Sequence, residues 1–225
     1  MVAIEDERLV RVARECDVVL VLAARIGDGV VAGTPVARAW PGRAGGDVDE
    51  DRLHQALDGG LVLRYERQAS RDVVYSLRKI VDIVVRALSP GMNDPTTAVH
   101  GLSHASALLC DLLTGPGSAR RHRDEQGQVR VIVPGWRPAE LLHLSLEEPV
   151  QFASGQPAVL RRIAGLLREV AWRSPRGCLD DELLHYTRRI GEVAGDSTDL
   201  AAGEIARWRE QVSAALAGRW PSEEA

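Results

Sequence analysis

The sequence predicts an α+β protein, a small β-rich N-terminal part packed on a mainly α-helical body. Three observations carry that prediction. A β-branched apolar run at residues 17–25 is followed by a glycine turn and a second extended segment ending at Trp40. The last third of the chain sets its apolar residues at helical spacing almost throughout. Aromatic content is 4% with a single Phe, so the interior has to be built from Leu, Val, Ile and Ala. The division expected from these patterns is 1–66 for the β-rich part and 67–220 for the helical body.

The elements follow in order. Residues 5–15 place Leu9, Val12, Ala13 and Cys16 on one helical face, with acids in the first turn where the helix dipole favours them. Residues 17–25 are short and apolar enough for a buried strand. Residues 26–30 turn, and 31–40 bend into a second strand, with Gly27 and Gly33 supplying positive φ and Pro35 at a strand edge. This hairpin is similar to the GDxVxxGxPL pattern of lipoyl and biotinyl domains, whose barrel-sandwich shape it implies. No lysine stands where the prosthetic group would be attached, so the shape is expected without the cofactor.

Residues 41–46 form a linker, and 47–57 an acid-capped helix stopped by Gly59 and Gly60. Residues 61–66 alternate as a strand, and Ser70 is placed to cap the central helix. Residues 114–126 read as a solvated loop in which Arg120, Arg121 and Arg123 are offset by Asp124 and Glu125. Residues 128–133 are a strand. Arg137 and Pro138 open a helix expected to break near Pro149, and Pro157 opens the next. Asp180, Asp181 and Glu182 acidify the start of another. Residues 195–197 are expected to cap a final helix carrying Ile205, Trp208, Val212 and Leu216.

Composition narrows the function classes. A net charge of −4 offers no general attraction to nucleic-acid backbones or anionic lipid, so no nucleic-acid partner is expected. Cys16, Cys110 and Cys178 are far apart and odd in number, which argues against a disulfide framework or zinc site and for a reducing compartment. The longest apolar run, 18–24, is far short of the roughly 20 residues that cross a bilayer. The first residues carry acids and no apolar signal core. A soluble, cytoplasmic chain is the expectation.

The densest polar grouping is 78–98, RKIVDIVVRALSPGMNDPTTA. Apolar residues at 73, 74, 75, 77, 80, 81, 83, 84, 85 and 88 cover most of the helix circumference, so burial on nearly all sides is expected. Arg78, Asp82 and Arg86 stand at steps of four on one stripe, and a desolvated stripe of charge has to be paired. Pro90 then disfavours helical geometry at Ser89, and Gly91 permits a reversal. Asn93 or Asp94 can cap the following helix, with Pro95 in its first turn and an anion-binding point at its N-terminus. If the helices fold back on each other, Arg78, Arg86, Ser89, Asn93, Asp94 and Thr97 converge.

Two readings stay open for this stretch. One is an internal ion network fastening the loop; the other is a ligand or catalytic site with Asp82 and Asp94 as an acid/base pair. No nucleophile or metal cluster accompanies them. His100 and His104 stand at i, i+4 but lack a third ligand, and read as the polar edge of a helix. Neither a metal nor a cofactor is expected.

The run RxxVDIxxRALSPGxNDPxTA, carried here from Arg78 to Ala98, resembles the signature of a bacterial family of predicted membrane proteins, domain of unknown function 2254. The segment GDxVxxGTPxAxxW from Gly27 to Trp40 also resembles that family. Family members usually carry transmembrane helices ahead of this region. This sequence shows none, so the resemblance implies the soluble portion and leaves docking to a membrane-protein partner open. It brings no established activity and leaves His100 and His104 outside the motif.

The expectation for function is a non-enzymatic binding or regulatory module. Its cluster of Arg78, Asp82, Arg86, Ser89, Asn93, Asp94 and Thr97 would hold a small anionic ligand or fasten a partner. One alternative is a hydrolase or lyase acting on an anionic small molecule, with Asp82 or Asp94 as base. Another is a scaffold forming homo-oligomers through C-terminal helices, with Trp208 and Trp220 exposed and a membrane partner alongside.

Overall fold

The computed structural model describes residues 3–43, 46, 48–63, 73–115, 119–197, 200 and 202–220. Among them stand eight helices and two small sheets, an α+β fold. The chain divides into two compact units, Met1–Tyr75 with Gly117–Trp136, and Ser76–Pro116 with Arg137–Ala225.

The first unit contains β1 (Ala3–Ile4), α1 (Asp6–Glu15), β2 (Val18–Leu22), β3 (Ala37–Pro41), α2 (Glu50–Gly60), β4 (Leu61–Val62), β5 (Ala119–Arg123) and β6 (Val129–Pro134). The hairpin expected before Trp40 forms: β2 and β3 pair antiparallel, Val18 opposite Pro41 and Leu22 opposite Ala37. Gly27 and Gly33 take the positive φ that the turn requires. The hairpin joins an open four-stranded sheet, β3-β2-β6-β5, with β2 parallel to β6. β2 buries alternate residues, Val18, Leu20 and Leu22, against Leu9, Ala13, Leu53, Ala56, Val131 and Val133.

Three expectations for this unit are corrected. Residues 119–123, read as part of a solvated loop, are strand β5, antiparallel to β6; the pairing supplies order that their charged sequence does not. α2 stops at the glycines as expected, but it runs through both of them to Gly60 rather than ending at residue 57. A Cβ on Gly60 would come within 2.5 Å of Leu9 Cδ2, so the glycine serves the close approach of α1 and α2. The strand expected over 61–66 is the two-residue β4, paired with β1, and residues 64–66 and Ser70 lie outside the described residues.

The second unit is helical: α3 (Val73–Ala87, its first turn shared with the first unit), α4 (Pro95–Thr114), α5 (Pro138–Phe152), α6 (Pro157–Arg173), α7 (Asp180–Ser197) and α8 (Ala202–Leu216). α6 is its centre, packed against α4, α5, α7 and α8, with Val159, Leu160, Ile163, Leu166, Leu167 and Val170 fully buried. Four corrections apply here. α5 runs past Pro149 to Phe152, and α7 runs through 195–197, the residues expected to cap α8. Trp208 is buried in the helical core, whereas Trp220 is exposed. α3 is not buried all round: Lys79, Asp82, Ile83 and Arg86 form an outward stripe, so its charges stay hydrated. Among the described residues no helix is long and apolar enough to cross a membrane.

Candidate functional site

The loop between α3 and α4 is closed by its own hydrogen bonds. The Ser89 amide and hydroxyl both donate to the Arg86 carbonyl, at 3.2 and 2.7 Å. Met92 and Asn93 donate their amides to Ser89 O at 3.0 and 2.9 Å, and Asp94 N reaches back to Ala87 O at 2.8 Å. Asn93 adopts φ 45°, a left-handed conformation that Asn tolerates better than most residues. Its Oδ1 accepts from Gln156 Nε2 at 2.7 Å, tying the loop to the start of α6.

Asp94 caps α4. Its carboxylate accepts the Thr97 amide at 3.0 Å and the Thr97 hydroxyl at 2.5 Å. The Thr97 hydroxyl bond, then the backbone bond, hold the Asp94 carboxyl below the usual aspartate range. The negative charge favoured at that N-terminus is therefore supplied by the chain itself.

Arg78 turns elsewhere. One of its terminal nitrogens donates to both carboxylate oxygens of Glu148 on α5, at 3.0 Å each, and its Nε pairs with Asp82 at 2.9 Å. The bond to Glu148 is the main cause that raises the Arg78 pKa. Arg86 is exposed, and among the described residues its guanidinium has no hydrogen bond or ion pair. The structure thus links Ser89 to Asn93, Asp94 to Thr97, and Arg78 to Asp82, but no side-chain bond joins these three pairs. Neither Glu148 nor Gln156 was in the expected cluster, and nothing local in sequence marks them as partners.

Beside the loop lies a groove of about 540 Å³ between α3 and α4. Ile80 and Ile83 form one wall; Thr97, His100, His104, Ala107, Leu108 and Asp111 form the other, with Gly101 between the helices. A Cβ on Gly101 would meet Val84 Cγ2 at 2.6 Å. Ile83 is 52% exposed and Met92, in the loop, 57%. His100 and His104 stand on an exposed polar edge of α4, as expected, and also line the groove.

Two further polar clusters escaped the sequence reading. At the α4–α6 contact, buried Ser106 donates to Glu169, which also takes both terminal nitrogens of Arg162, at 2.9 and 2.6 Å. Burial raises the Glu169 pKa, but the Arg162 and Ser106 bonds outweigh it, leaving the carboxyl below its ordinary range. Between α5 and α7, Glu147 accepts from Arg189 at 2.5 Å and from the Tyr186 hydroxyl at 3.2 Å, and His143 Nδ1 stands 2.9 Å from that hydroxyl. Burial first, then Glu147, pushes the Tyr186 pKa up. The i, i+4 spacing of His143 and Glu147 was the available signal. No group of three metal-ligating side chains comes together among the described residues.

A family model described as "Predicted membrane protein (DUF2254)" matches residues 1–169. Among curated proteins, an uncharacterized protein of Mycobacterium tuberculosis strain CDC 1551 / Oshkosh is 32% identical over 202 residues. Uncharacterized proteins of M. tuberculosis strain H37Rv and of Mycobacterium bovis are each 30% identical over 202 residues. Each match covers 85% of this chain but 38% of the relative, so the chain spans well under half the length of these relatives. No solved structure matches.

Proposed function

The chain belongs to that family of predicted membrane proteins, and from this premise we propose that it is a non-enzymatic binding module. Its contact surface is the outward face of the α3–loop–α4 junction, which fastens an apolar-faced helix of a partner protein. The observation that carries this reading is Ile83, 52% exposed on the wall of an apolar groove. Arg86, hydrated and unpaired among the described residues, stands one turn further along the same stripe as a charged rim. An apolar floor with a charged rim is the arrangement of protein contact surfaces.

Catalysis is supported less well. Asp94 is spent on the cap with a lowered pKa, and Asp82 is ion-paired with Arg78, so neither is a ready base. A small-anion site is also less well supported, because Asp94 already serves the α4 N-terminus and Ser89 bonds its own turn.

The test is a titration with amphipathic helical peptides, followed by amide chemical shifts. Shifts should cluster at Ile80, Ile83, Arg86, His100 and His104 and vanish in Ile83→Glu, whose melting temperature stays near that of the parent. Absence of shifts with every peptide sinks the proposal. So does an Arg86-dependent rise in melting temperature with phosphate, sulfate, carboxylates or nucleotides, which would install the small-anion reading instead.

A further inference from the structure

Tryptophan, with five copies, is more frequent in this chain than tyrosine or phenylalanine, and two of the five meet at the surface of the helical unit. Trp172, in the last turn of α6, is 45% exposed, and Trp220, beyond α8, is 48% exposed. Their rings stand edge to face with centroids 5.6 Å apart. The Arg168 guanidinium lies over Trp220 at 4.9 Å. Its Nε is buried without a hydrogen-bond partner among the described residues.

More positive charge surrounds the pair. Arg176 reaches the turn at Gly218, where a Cβ would come within 2.6 Å of its terminal nitrogen. Arg173 and Arg219 adjoin the two tryptophans in sequence and are exposed. Of the acids in these stretches, Glu169 is neutralised by Arg162. Glu223 and Glu224 lie outside the described residues. Among the described residues of these two stretches, Arg168, Arg173, Arg176 and Arg219 outnumber the one acid, Glu169, although the chain as a whole carries −4.

An indole has an apolar body and a polar N–H, which suits the layer between lipid headgroups and acyl chains. Guanidinium forks suit the phosphodiesters at the same depth. A nucleic acid would offer phosphates too, but it asks for an open stacking face. Here Arg168 covers a face of Trp220, and the two rings are set edge to face. We propose that the Trp172–Trp220 pair and its arginines form a peripheral docking face for the interfacial layer of an anionic phospholipid bilayer. This face is separate from the α3–α4 groove and does not depend on it.

The test uses the full chain and vesicles of phosphatidylcholine, alone or mixed with phosphatidylglycerol. Binding is read by co-sedimentation and by quenching of tryptophan emission with lipids brominated on the acyl chain. The protein should sediment with the mixed vesicles only, release as salt rises, and show quenching. The double variant Trp172→Ala/Trp220→Ala should lose binding by about tenfold or more together with the quenching. Arg173→Glu/Arg219→Glu, which leaves the rings in place, should lose about tenfold or more as well. Ile83→Glu should bind vesicles like the parent, which separates this face from the groove. The proposal is overturned by no sedimentation, by equal binding to phosphatidylcholine alone, by variants that bind like the parent, or by tighter binding to single-stranded nucleic acid at the same salt.

Discussion

At the α3–α4 junction Asp94 caps a helix within reach of water, whereas in the β5–β6 turn Asp124 is shut away, its side chain 1% exposed. Asp124 accepts the amides of Gln126 and Gln128 at 3.0 and 2.9 Å and Arg130 Nε at 2.7 Å. Arg130 is itself buried and extends the network to Asp17 at 3.0 Å and to Gln128 Oε1 at 2.9 Å. The Arg130 bond is the main cause that holds the Asp124 carboxyl below its ordinary range. Both regions pair arginines with aspartates. At the junction the chain folds so that its charges remain hydrated, and their bonds shape a loop. In the hairpin the arginine is enclosed by strands, and losing a partner leaves charge with no solvent to replace it. The residues that look like a site by density are therefore the cheaper ones to alter, and the ones that look like a neutral loop are the costlier.

Three measurements would break or sharpen this contrast. The largest effect is expected for Arg130→Ala, which strips Asp124 and Asp17 of their common partner: about 3 kcal/mol of stability by urea unfolding. A loss no greater than that of a surface substitution would remove the distinction between the regions. Next is Gly101→Ala at the junction. Its new methyl would meet Val84 at the helix contact, so about 1–2 kcal/mol is expected, together with shifted α3 resonances. An unchanged melting temperature would show that α3 and α4 approach less closely.

The smallest effect is expected in acid. The Thr97 bonds hold the folded pKa of Asp94 below that of an ordinary aspartate, so its contribution is fully present above the ordinary value and is lost as pH falls through the lower folded one. Asp94→Ala should therefore differ from the parent most at neutral pH, with the two melting temperatures converging in strong acid. A difference that persists unchanged into strong acid would mean that the carboxylate charge is not what caps α4.

Which features could be read from sequence follows the range of the interaction. Asp94 before Pro95 announces a cap, because both act within one turn of helix. Gly27 and Gly33 announce a turn, because positive φ is a property of the residue itself. Gly59 and Gly60 announce a helix end for the same reason, and α2 does stop at Gly60, but only the approach of Leu9 shows the second use of Gly60. At the candidate site, the local bonds of Ser89, Asp94 and Thr97 were within reach of the sequence. The turn of Arg78 toward Glu148, 70 residues away, was not, and neither was the groove.

By itself the sequence determined the α+β class, the helix–loop–helix at 78–98 and the family to which the chain belongs. These rest on periodicity, caps, turns and motif, all encoded in neighbouring residues. Tertiary structure alone decided which charges are buried, which side of α3 faces water and which tryptophans remain exposed. Arg130 meets Asp17 across 113 residues, and Trp172 meets Trp220 only because α6 and α8 end side by side. Burial is a property of what packs against a residue, and no local pattern carries that information.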